Sequence, residues 1–135
     1  MNAAARLVRI LAVIAVLFGV LTVFSGGMAL FGPEQARARL GDVVPFVLWF
    51  NFLAGFAYVG AGVGLYLGRR GAVHLAAALA AATVLVFGAL GWHAATGGAY
   101  EVRTVAAMSL RSIFWVVVWI VAVRALARRE PSSGG

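Results

Sequence analysis

The 135-residue chain has no cysteine and no lysine, and its only acidic residues are Glu34, Asp42, Glu101 and Glu130. Without cysteine there are no disulfides, thiolate metal sites or thiol nucleophiles. The four carboxylates fall in connecting stretches or the tail, so no apolar run holds a carboxylate pair for general acid–base work. A proton-driven exporter usually carries a carboxylate inside the membrane, and that too is missing. No glycine-rich phosphate loop joins a strand to a helix, and no nucleophile has a base at motif spacing. Charged residues make up 11% of the chain and hydrophobic ones 64%, whereas a soluble domain carries about 25% charged residues. A soluble globular fold is excluded on that balance. The expected class is a non-enzymatic membrane protein with no resident cofactor or metal.

What is present is four long apolar runs. A spanning helix needs about 20 such residues, because the hydrocarbon core is about 30 Å thick and each residue rises about 1.5 Å. Residues 7–30, 45–67 and 72–95 meet this without a charge, and 104–123 meets it with Arg111 as the exception. The spacing predicts an all-α integral membrane protein, a four-transmembrane-helix bundle in one domain. The first run has a basic start but an apolar core of about 18 residues, longer than the 7–15 of a signal core. It is therefore read as a span. The connection 31–44 is the one sizeable loop. Within it Pro33 and Glu34 open a short helix that Gly41 stops, and Asp42 is placed to cap the next span. Residues 130–135 read as a flexible tail.

The net charge of +7 comes from eleven arginines. Nucleic-acid binding would need a basic face on a soluble domain. Here the arginines flank apolar runs, where they set topology and meet anionic headgroups. Membrane lipids are the expected partners, with a homo-oligomer or a larger membrane complex in addition, and nucleic acid is not. Arg6, Arg9, Arg69, Arg70, Arg124, Arg128 and Arg129 fall on one side; Arg37, Arg39 and Arg103 share the other with Glu34, Asp42 and Glu101. The positive-inside rule then places both termini in the cytoplasm and 31–44 in the periplasm. Trp49 and Trp92 lie at the outer interface, as an aromatic belt does. Abundant alanine, glycine, valine and arginine without lysine suggest a bacterium with a GC-rich genome, and so its inner membrane.

Two kinds of position stand out inside the runs. Gly60, Gly64 and Gly68 form a stripe on the second span, and Ala72, Ala76 and Ala80 form one on the third. Small residues let helices approach closely in lipid, so the two stripes are expected to meet across the tight turn, or else to make a homodimer contact. The polar positions are Asn51, Tyr58, His93 and Arg111. Asn51 and Tyr58 share a face with Gly55 and Gly62 and either bond a neighbouring helix or line a pocket. Arg111 shares a face with Glu101, Thr104, Met108 and Trp115; it either snorkels to the nearby interface or reads an anionic or carbonyl-bearing ligand. His93 is a structural hydrogen-bonding residue or a proton carrier. His74 lies about 28 Å away along the same helix, so the two histidines cannot clamp one metal or haem.

The opening Arg6-Leu-Val-Arg9-Ile10-Leu11, the exit Gly26-Gly27-Met28-Ala29-Leu30-Phe31-Gly32-Pro33 and the four-span length resemble the small four-helix bacterial inner-membrane proteins of the DoxX-like kind. That resemblance implies architecture and an accessory role, and it assigns no site residue. Asn51, Tyr58, His93 and Arg111 all belong to the outer half of the bundle. The leading expectation is thus an accessory subunit, or a binder of a small lipophilic ligand in an outward-facing pocket that these four residues anchor. An oligomeric transporter or channel with an Arg111-lined anion path is the first alternative. A redox subunit holding haem or copper through His93, with Met28 or Met108, is the second.

Overall fold

The computed structural model describes residues 3–129; the tail expected at 130–135 lies outside them. Five helices follow in order: α1 (Ala3–Phe31), α2 (Glu34–Ala38), α3 (Pro45–Tyr66), α4 (Arg70–Ala95) and α5 (Val102–Arg129). All but α2 are long and apolar enough to cross a membrane, and no strand occurs among the described residues. The all-α four-span architecture is therefore the observed one. In lipid this is close to obligatory, because a spanning backbone must satisfy its hydrogen bonds internally.

Helices α1, α4 and α5 run past the apolar limits of 7–30, 72–95 and 104–123. Hydropathy marks the hydrocarbon region, whereas backbone hydrogen bonding continues into the interface, where arginine is a good helix former. With 28 residues, α5 is about 42 Å long. The start of α3 departs from expectation. Val44 is its N-cap and Pro45 its first residue, with no side-chain cap bond. Pro45 has no N–H to satisfy there, so Asp42 stands too early to cap.

Helix α1 packs on α3 and α5, and α4 packs on the same two, so the four form a ring in chain order. The end carrying the 32–44 connection and the 96–101 turn is called the loop end here; the other is the terminal end.

The tightest contact is between α1 and α3. Ala12, Ala15, Gly19, Thr22 and Gly26 are buried along one stripe of α1, facing Gly55, Tyr58 and Gly62. A Cβ on Gly19 would lie 2.7 Å from the Gly55 carbonyl oxygen, and one on Gly62 would lie 2.8 Å from that of Ala12. Backbone meets backbone at a distance only glycine allows. Lipid is as apolar as leucine, so such van der Waals contact is what holds spanning helices together.

The Gly60, Gly64, Gly68 stripe is used in part. A Cβ on Gly64 would meet the Ala72 methyl at 2.7 Å, but one on Gly60 would meet nothing within 4 Å. Gly68, at φ +75, turns the chain into α4. Ala72, Ala76 and Ala80 are buried.

Tyr58 and Trp115, both fully buried, form the centre of the bundle with ring centroids 4.9 Å apart. Phe18 stands edge-on to Tyr58 at 5.6 Å. Nearer the loop end, Val44, Val47, Leu90 and Met108 make a second buried cluster.

Candidate functional site

Arg111 lies about 13 Å along α5 from its first residue, at about 1.5 Å per residue. Its neighbours on the inward face, Met108 and Trp115, are fully buried, so the guanidinium is carried inward with them and does not reach out to the interface. Its Nη1 donates to Thr22 Oγ1 on α1 at 3.0 Å and makes a longer contact, 3.5 Å, with the Tyr58 hydroxyl on α3. The guanidinium carbon sits 4.8 Å from the Phe18 ring centroid and 5.8 Å from that of Tyr58. One side chain thereby ties three helices together. Among the described residues it forms no ion pair, and its Nε is buried without a partner.

A cavity of about 370 Å³ adjoins this group, between α1, α3 and α5 and beneath the 32–44 connection. Thr22, Asn51 and Arg111 give it a polar inner end. Ala29, Val44, Val47, Leu48 and Ala107 make apolar walls. Asn51 Oδ1 is buried with no hydrogen-bond partner. An amide oxygen left unpaired away from water costs about 1–3 kcal/mol. An unpaired acceptor and an unpaired cationic nitrogen thus lie buried beside the inner end.

Leu40 and Val43 also line the cavity, and Glu101 and Arg103, at the start of α5, bond the stretch that carries them. Glu101 Oε1 accepts the Asp42 backbone N–H at 2.8 Å. The same carboxylate lies against Gly41, whose φ of +72 and missing side chain make room for it. Arg103 Nη2 donates to the Leu40 carbonyl at 3.4 Å. A second cavity, about 340 Å³, shares Ala29, Leu40, Val43 and Leu48 with the first and extends toward Arg37 and Trp49.

Of the four polar residues singled out in the sequence, Asn51 and Arg111 line the first cavity. Tyr58 stands behind Arg111 as a hydrogen-bond partner. His93 lies elsewhere. Its Nε2 is 2.9 Å from the Ala99 carbonyl and donates to it, which fixes the tautomer. Gly98 packs directly against the ring, and Phe46 meets it edge-on at 6.0 Å. His93 thus braces the turn between α4 and α5. Met108 is buried and Met28 exposed. No group of three His, Cys, Asp or Glu side chains converges among the described residues.

Helix α1 contributes to the site as well, through residues that carry no charge or amide to single them out. Thr22 and Ser25 line the cavity and Phe18 faces the guanidinium. A signal existed for Thr22, which falls in register with Ala12, Ala15, Gly19 and Gly26 and so belongs to the one small, inward stripe of that helix. No protein-family model matches the chain, and neither a curated protein nor a solved structure does.

Proposed function

We propose that this is a non-enzymatic, multi-pass protein of a bacterial inner membrane that binds a small amphipathic molecule in the cavity beside Arg111. The observation that carries this is a cation held in the apolar zone, facing a cavity, with no counter-ion among the described residues. A charge deep in a span costs about 2.5–3.5 kcal/mol on insertion scales. Interhelical hydrogen bonds return about 0.6 kcal/mol each, and desolvated ring contacts about 2 kcal/mol. These terms roughly cancel, so packing alone gives no reason to prefer arginine over methionine here. A ligand with an acceptor group gives one.

Both termini are cytoplasmic in this reading, and the cavity belongs to the outer half. Its support is charge: Arg6, Arg9, Arg69, Arg70 and Arg124 lie at the terminal end, while Arg37, Arg39 and Arg103 share the loop end with Glu34, Asp42 and Glu101. Kinship with the DoxX-like proteins belongs to the same proposal and rests on the sequence at the two ends of α1.

Native mass spectrometry of the protein gently extracted from its own membrane tests the binding role. The expected result is a retained small-molecule mass that Arg111→Met loses. A bare chain carrying only exchangeable lipid overturns the reading.

A further inference from the structure

Resting on that reading, we infer that the ligand is an amphipathic monocarboxylate, held at the free edge of the Arg111 guanidinium with its apolar body against the cavity walls. Nη1 is committed to Thr22 and Tyr58. Nε is buried without a hydrogen-bond partner, and Nη2 makes no hydrogen bond among the described residues. These two nitrogens share one edge of the planar group and present parallel N–H donors, a fork that matches the two oxygens of a carboxylate. The edge is side-on to the direction in which Thr22 and Tyr58 hold the group, so a ligand there need not displace them.

Charge sets the head group. Arginine stays protonated under all ordinary conditions, so one anionic charge neutralises the inner end. A phosphate monoester carries about −1.5 to −2 at neutral pH and would leave excess negative charge in a low-dielectric site. A neutral alcohol or ester occupies a donor but leaves the cation uncompensated, which is the expensive case for a buried charge. An ammonium is repelled.

Shape sets the rest. At about 370 Å³ the cavity is near the lower end of small-molecule sites, about 300–1,000 Å³. A two-chain phospholipid does not fit inside it. Val44, Val47 and Leu48 suit one short aliphatic or aromatic body. The Asn51 amide can present either its donor or its acceptor to the head group by turning about its last bond. Glu101 also lines the cavity, but about 15 Å from Arg111 along the helix axis, and its carboxylate accepts the Asp42 N–H at the mouth.

The test uses the full chain in nanodiscs of zwitterionic lipid, with radiolabelled octanoate as the probe and empty nanodiscs as the blank. Octanoate is expected to bind saturably, with octanol and octylammonium competing at least about tenfold less well, the scale of one charge-assisted hydrogen bond. Arg111→Met is expected to abolish binding. Arg111→Lys is expected to weaken it about tenfold, because an ammonium cannot fork. Arg6→Gln, at the far end of α1, should change nothing. Equal competition by octanol would overturn the carboxylate assignment while leaving the site intact. Saturable binding by none of the three probes would overturn the carboxylate assignment, and the binding role too if native mass spectrometry also finds a bare chain. The head-group comparison needs only the unmodified protein, so it decides the matter even if a variant misfolds.

Discussion

Two hydroxyls and two aromatic rings surround the guanidinium of Arg111, and the described residues supply it with no carboxylate. Replacing even a buried ion pair by apolar side chains of similar volume is often neutral or stabilising by about 1–4 kcal/mol, and the half-buried Arg111 has no ion pair to lose. Arg111→Met is therefore expected to leave the thermal midpoint in detergent unchanged or raised, while the bound small molecule is lost. A strongly lowered midpoint would mean that Arg111 acts as a structural strut. Thr22→Val separates the two roles further. It removes the shorter of the two Nη1 contacts at nearly constant volume, and is expected to cost about 1 kcal/mol by the same measurement. Arg111 and Asn51 were legible in the sequence because a charge or an amide stands out in an apolar run. Thr22 was legible only through its register with Ala12, Ala15, Gly19 and Gly26, since a lone threonine is tolerated on any face of a spanning helix.

At the scale of elements, α1 and α3 carry the closest packing. The most regular glycine pattern, Gly60, Gly64 and Gly68, covers a face that meets α4 only beside the turn. The less regular set, Gly19 with Gly55 and Gly62, brings two backbones together. Spacing shows which residues share a face; which face finds a partner depends on the rotation of each helix, and 3.6-residue periodicity does not fix that. Gly55→Leu puts a side chain where a Cβ alone would lie 3.1 Å from the Val23 backbone nitrogen. It is expected to cost at least the about 1–3 kcal/mol of an overpacked core. Gly60→Leu is expected to cost almost nothing, since a Cβ there meets open space. Denaturant-induced unfolding of both variants in mixed micelles checks the contrast, and equal costs would place the critical contact elsewhere.

Over the whole molecule, the arginine distribution gives the bundle a direction. The proposed orientation puts the 32–44 connection outside the cell and the 68–70 turn inside. A chain without cysteine is convenient for testing it. Gln35→Cys is expected to react with a membrane-impermeant maleimide on intact spheroplasts, and Arg70→Cys only after permeabilisation. The reverse pattern would turn the cavity toward the cytoplasm and remove its proposed access from the periplasm.

The sequence by itself determined the number of spans, their helical state and the short list of polar groups. Four apolar runs of spanning length admit few other folds, because a lipid-exposed backbone has no other partner for its hydrogen bonds. Only the tertiary structure decided which polar groups meet. It turned Arg111 inward onto Thr22 and Tyr58, placed Asn51 on the same cavity and set His93 apart in the α4–α5 turn. The physical reason is that these helices are apolar all round. When lipid and protein interior are equally apolar, hydropathy cannot say which face points inward, and that choice falls to side-chain fit between neighbouring helices.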